Sequence, residues 1–167
     1  NMTPLASSPE ELLTASELLA WGDAYCVDGR YDEALTAFTA ALAVARDEDV
    51  LVRFRATSHR AAALLQYQTT TTTTAASPNE TSNGAEPNGN NDDIGESALR
   101  DATDAVAILQ HDTQLLSGLR PGESEAAHRR QGHAAERVRQ FDVAIDAYTR
   151  AAELARWNNT VSDNNNT

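Results

Sequence analysis

The sequence predicts an all-α fold made of three helix-turn-helix hairpins stacked in tandem. Three observations point there. Apolar residues recur at helical rather than strand spacing along most of the chain. Hydrophobic residues make up 41% of it while aromatics reach only 5%, and the abundance of alanine suits helices packed closely side by side. Finally, one order of small and large residues returns three times within the 167 residues, the signature of a repeat architecture. Strand-like runs of Val, Ile and Thr are missing apart from one threonine tract.

The first helix is expected to start at Ser8 as N-cap, with Pro9 in the first helical position and Glu11 completing a capping box. Leu12, Leu13, Leu18, Leu19, Trp21 and Tyr25 then follow close to the helical period until Gly29 breaks it. A second helix is expected over about 31–46, with Leu35, Phe38, Ala41, Leu42 and Val44 on its apolar side. A third covers about 50–68 and a fourth about 95–110. After a turn at Pro121 and Gly122, a fifth runs over about 123–139 and a sixth over about 141–157. Residues 69–93 hold six consecutive threonines, then Pro, Gly, Asn and acids. Residues 158–167 are mostly Asn and Thr. Neither segment carries enough apolar surface to offset the entropy of ordering. A domain over 8–157 is therefore expected, with repeats at about 15–48, 54–110 and 123–157, a disordered insert at 69–93 and a disordered tail at 158–167.

The repeat is visible in two segments that align without a gap, GDAYCVDGRYDEALTAFTAAL from Gly22 and GHAAERVRQFDVAIDAYTRAA from Gly132. Gly22 matches Gly132, Ala34 matches Ala144, Phe38 matches Tyr148 and Ala41 matches Ala151. A middle copy is split by the insert, with HRAAALLQYQ before it and SALRDATDAVAIL after it. There Ala61, Ala63, Ala98, Ala102, Ala105 and Ile108 take the equivalent places. Small residues let paired helices approach, larger ones fill the gaps between pairs, and each pair buries its other face on the next. This pattern resembles the tetratricopeptide repeat. The resemblance implies a right-handed superhelical array and a protein-interaction scaffold rather than an enzyme. No capping helix is evident after the third repeat, whose outer face is left to Trp157, to a downstream segment or to a second copy of the chain.

In such arrays the first helix of each hairpin lines a concave groove. By that resemblance Leu19, Asp23 and Cys26 face it from the first repeat, and Arg55, Ser58, His59 and Leu65 from the second. Arg129, Arg130, His133 and Arg137 face it from the third. The partner-binding residues expected are Arg55, His59, Arg129, Arg130, His133 and Arg137. They would give an acidic chain a basic groove end able to hold an acidic peptide or terminal carboxylate, the alternative being a solvated polar face. The carboxylate clamp of chaperone-binding tetratricopeptide domains places Lys and Asn on the first helix, Asn on the third, and Lys and Arg on the fifth. Leu19, Asp23, His59, Ala126 and Arg130 stand there in this chain, and only Arg130 agrees. A three-repeat domain without the clamp is similar to that of the co-chaperone family known as suppressor of the G-two allele of SKP, which EAAHRRQGHAAERVRQFDVA resembles in its third repeat. That likeness implies an adaptor joining a heat-shock protein 90 type chaperone system to clients or to SCF ubiquitin-ligase components, with an SKP-type adaptor or a chaperone as partner. Self-association as a homodimer is the alternative.

The remaining residue patterns argue against other classes. A net charge of −12 disfavours nucleic-acid binding, and all thirteen basic residues are arginine. Cys26 is the single cysteine, so no intrachain disulfide can form. It lacks any sequence sign of a base or oxyanion site. His128 and His133 are spaced to face different ways, so no zinc site is expected, nor any cofactor. The first residues lack the basic and apolar runs of a leader, and no stretch is long and apolar enough to span a bilayer. A cytoplasmic location, extending to the nucleus, is the expectation, as is an N-terminal fragment of a longer protein.

Overall fold

A computed structural model describes residues 13–75, 90–112 and 115–164. Among these residues there are seven helices and no strands. They are α1 (Ala15–Val27), α2 (Tyr31–Val44), α3 (Val50–Ala75), α4 (Asn90–His111), the one-turn α5 (Leu115–Gly118), α6 (Glu123–Arg137) and α7 (Phe141–Asn164). The expected all-α helical-repeat array is present. Three hairpins, α1/α2, α3/α4 and α6/α7, pack in sequence order, and the first helices of successive hairpins also touch, α1 on α3 and α3 on α6.

Several boundaries differ from the sequence expectation. The start expected at Ser8 falls outside the described residues. The helix that carries Leu18 and Trp21 begins instead at Ala15, behind a second capping box in which Thr14 Oγ1 accepts from the Glu17 N–H and the Glu17 carboxylate accepts from the Thr14 N–H at 2.8 Å. Of the segment 69–93 expected as a disordered insert, 69–75 belong to α3 and 90–93 to α4, and 76–89 lie outside the described residues. The threonine side chains at 69 and 70 bond carbonyls one turn back. Likewise α7 runs on to Asn164 rather than ending at Trp157. Residues 111–120, outside the expected helices, contain α5. Its Leu115 is buried with Phe54, Val106, Leu109 and Ala127 between the second and third hairpins.

The repeat register controls how each hairpin closes. A Cβ on Gly22 would lie 2.3 Å from Phe38, and one on Gly132 would lie 2.6 Å from Tyr148. In both outer hairpins an aromatic of the second helix therefore occupies the space that a side chain on the first would need. The middle hairpin solves the same problem with two small residues, Ala61 and Ala102, buried in one cluster with Ala98 and Ala134. Ala34, Ala98 and Ala144, at one place in the repeat, are all buried.

The turns repeat as well. Arg30 N–H bonds Tyr25 O at 2.9 Å and Gln140 N–H bonds Ala135 O at 2.8 Å, the six-to-one bond that closes a helix through a left-handed residue. That residue is Gly29, with φ of 74°, in the first hairpin but Arg139, with φ of 60°, in the third. A side chain there costs about 1–2 kcal/mol, partly offset by the ~0.5–1 kcal/mol entropic penalty of glycine. Arg139→Gly is accordingly expected to stabilise the chain by about 0.5–1 kcal/mol. An unchanged or lower urea midpoint would contradict this.

His128, half-buried on α6, has its Nδ1 shut off from solvent with no hydrogen-bond partner among the described residues. Burial, and secondarily the charge of Arg150, holds its pKa below the ordinary 6.5. Above that value both folded and unfolded chains carry it neutral. Below it the unfolded chain takes up a proton that the folded chain resists, so stability falls as pH drops through the unfolded value. Between about pH 7.5 and 5.5 the urea midpoint should fall further for the native chain than for His128→Leu. Equal falls would rule out this histidine as the cause.

Candidate partner-binding groove

Helices α1, α3 and α6 are adjacent first helices of their hairpins, and their facing side chains form one polar network. Arg55 on α3 grips Glu123 on α6 with two bonds, Nε to Oε1 at 2.7 Å and Nη2 to Oε2 at 3.0 Å. Its Nη2 also reaches the Gly118 carbonyl of α5 at 3.4 Å. Glu123 further accepts from the Arg120 N–H at 2.8 Å. Burial works against the Glu123 carboxylate, yet the Arg55 fork and the Arg120 N–H outweigh it, so its pKa lies below the usual carboxylate value. The same fork raises the pKa of Arg55. A planar guanidinium held at two points by a carboxylate is rigid as well as charged.

Between α1 and α3, the His59 Nδ1–H donates to the Asp23 carboxylate, with Nδ1 and Oδ1 2.6 Å apart. The edge of Phe38, admitted by Gly22, meets this ring at a centroid distance of 6.0 Å. Arg130 on α6 donates from Nη1 to Ser58 Oγ at 2.6 Å. Burial lowers the pKa of Arg130, and the nearby Asp23 and Glu123 carboxylates work in the opposite direction. Cys26 lies in the same network. Burial and then Asp23 raise its thiol pKa, Arg130 only partly offsetting them. A raised thiol pKa is the reverse of what a nucleophile needs.

The six expected binding residues therefore divide. Arg55, His59 and Arg130 come together at the centre of the groove. Arg129, exposed, pairs instead with Glu125 one turn earlier on its own helix. His133 turns to Tyr148, 3.1 Å from its hydroxyl, and that hydroxyl donates to Glu136 at 3.0 Å. Arg137 is exposed near the end of α6. One expected groove residue, Leu19, is buried with Ala34 and Phe38, and Leu65 is partly buried against the cluster of Ala61 and Ala134. The carboxylates that neutralise the groove, Asp23 and Glu123, are what the sequence reading underweighted. Glu123 lies 68 residues from Arg55, and no local spacing signals such a pair.

Taken together, tandem α-hairpins whose first helices share a continuous polar face define a helical-repeat scaffold. The tetratricopeptide repeat family matches residues 18–50, which span α1, α2 and the turn into α3. That repeat generally mediates protein–protein interactions. No curated protein and no solved structure matches the chain. Among the described residues, no helix is long and apolar enough to cross a membrane.

Proposed function

We propose that this chain is an interaction scaffold of the co-chaperone or ubiquitin-ligase-adaptor kind, holding an acidic segment of a protein partner in the groove of α1, α3 and α6. The observation that carries this reading is Arg130. It is drawn out of water at the middle of the groove, bonded to Ser58 on the neighbouring helix and set between two carboxylates. An incoming carboxylate can accept remaining N–H donors of that guanidinium, with Arg129 and Arg137 along the same helix extending the charge. Capture of a chain-terminal carboxylate through the usual clamp is disfavoured. At the clamp positions Leu19 is buried and Asp23 is bonded to His59. An internal acidic segment or a folded adaptor of the SKP type fits better, in a cytoplasmic or nuclear setting.

The test is fluorescence anisotropy with acidic and charge-neutral peptides of equal length, followed by affinity capture with an SKP-type adaptor. The double charge reversal Arg129→Glu with Arg130→Glu should weaken acidic-peptide binding at least tenfold, from the loss of charge-assisted bonds of about 1.5–3 kcal/mol. Binding that is undiminished would exclude the groove as the site.

A further inference from the structure

Each junction between hairpins is built from equivalent positions, and one hydrogen bond recurs in both. Where the second hairpin follows the first, Arg60 on α3 donates to Thr39 Oγ1 on α2 at 3.4 Å. Where the third follows the second, Gln131 on α6 donates to Thr103 Oγ1 on α4 at 3.3 Å. Arg60 and Gln131 hold the same place in the repeat, as do Thr39 and Thr103. Around these bonds the preceding second helix presents Leu35 and Leu42 in one junction, Leu99 and Val106 in the other. The incoming first helix offers Ala56 and Ala63, then Ala127 and Ala134.

The two ends of the array carry the halves of a further junction. On α7 the equivalents of Thr39 and Leu35 are Thr149 and Ile145. Both are exposed, Ile145 at 62%, with Phe141 beside them at 58%. On α1 the equivalent of Arg60 and Gln131 is Trp21, 52% exposed and carrying an indole N–H donor. A cleft of about 360 Å³ lies beside it, lined by Leu13, Tyr25, Asp32, Glu33 and Ala37. The corresponding 350 Å³ cleft at the second junction is walled on its far side by Thr103, Val106, Ala107 and Gln110 of α4. Among the described residues no such wall stands beside α1–α2, and its equivalents are Thr149, Ala152, Glu153 and Arg156 of α7.

We propose that copies of this chain stack head to tail, α7 of one copy seating α1 and α2 of the next as an added repeat junction. Two departures from the internal junctions match each other in size and charge. Glu17 stands on α1 where Ala56 and Ala127 are buried, and α7 has Ala152 and Ala155 where α4 has Val106 and Leu109. The smaller α7 residues leave room for Glu17, and Arg156 supplies a charge of opposite sign to Glu17 and Asp32, Glu33 and Glu153 being already paired with Arg30 and Arg150. Trp21 of one copy donates to Thr149 of the other, as Arg60 does to Thr39. Because the two faces differ, the contact is heterologous and does not close on itself as a two-fold dimer would.

Sedimentation equilibrium of the full chain, from micromolar to near-millimolar concentration, tests this. The mass should rise past that of a dimer. Trp21→Glu and Ile145→Glu, both at exposed sites, should each be monomeric with unchanged helicity. An equimolar mixture of the two should form a dimer that grows no further, since each retains one intact face. Thr149→Val should weaken association about five- to tenfold, the equivalent of one lost hydrogen bond. A single-chain mass at every concentration would overturn the proposal. So would self-association of either face variant alone, or a mixture that stays monomeric.

Discussion

Asp101→Ala is expected to destabilise the chain by about 2–3 kcal/mol, the range for stranding one partner of a largely desolvated ion pair, reduced because Arg60 keeps some solvent contact. Asp101 is buried on α4, and both its oxygens accept from Arg60 at 2.7 Å, Oδ2 from Nε and Oδ1 from Nη2. That fork, first among its influences, raises the Arg60 pKa above its ordinary value. The repeat register supplies a control. The equivalents of Asp101 are Ala37 and Ala147, both buried, and the third hairpin sets Gln131 where Arg60 stands. Asp101→Ala combined with Arg60→Gln therefore installs the third hairpin's combination in the second. It should recover much of the loss, because no charge is left behind. Urea titrations followed by circular dichroism read both variants. A single variant within about 0.5 kcal/mol of the native chain would mean the pair adds no more than an ordinary surface substitution.

Gly22→Ala should cost about 1–2 kcal/mol, although alanine gains up to ~1 kcal/mol of helix propensity over glycine. The new methyl would sit within 2.8 Å of three Phe38 ring atoms, which cannot retreat because Phe38 is fully buried. Phe38→Ala alone opens a cavity at a cost of about 3–5 kcal/mol. Joining the two reproduces the Ala61–Ala102 pair of the second hairpin, so the double variant should be more stable than the sum of the single losses by at least about 1 kcal/mol. Simple additivity would show that glycine and ring are not coupled. Measured against Arg139→Gly, whose effect is smaller and opposite in sign, the pair separates helix packing from turn strain.

Several features were legible because the physics behind them is local. A hairpin's helices are written in a 3.6-residue period. Its closest approach is written in the small residues Gly22, Ala34 and Ala41, and its turn in Gly29. Recurrence of these at Gly132, Ala144 and Ala151 was enough to expect an all-α repeat array. The ends of helices were less legible. Threonine and asparagine tracts lack apolar surface, yet a helix already anchored by tertiary contacts propagates into them at little cost, and so α3 reaches Ala75, α4 starts at Asn90 and α7 reaches Asn164.

The groove shows the other limit. That Arg55, His59 and Arg130 stand on the first helices of their hairpins and face the groove was expected from the resemblance to the tetratricopeptide repeat. What those side chains do was decided by the tertiary structure. A cation's character depends on the carboxylates within a few ångströms of it, and these come from other helices. Glu123 takes the Arg55 fork, Asp23 takes His59, and Arg130 is left to Ser58 with both acids nearby. The sequence by itself determined the helices, their pairing and their repeat, because periodicity and residue size act over a single hairpin. Only the tertiary structure decided the charge state of the groove and the open faces of the ends, because both depend on which residues of distant hairpins come to lie against one another.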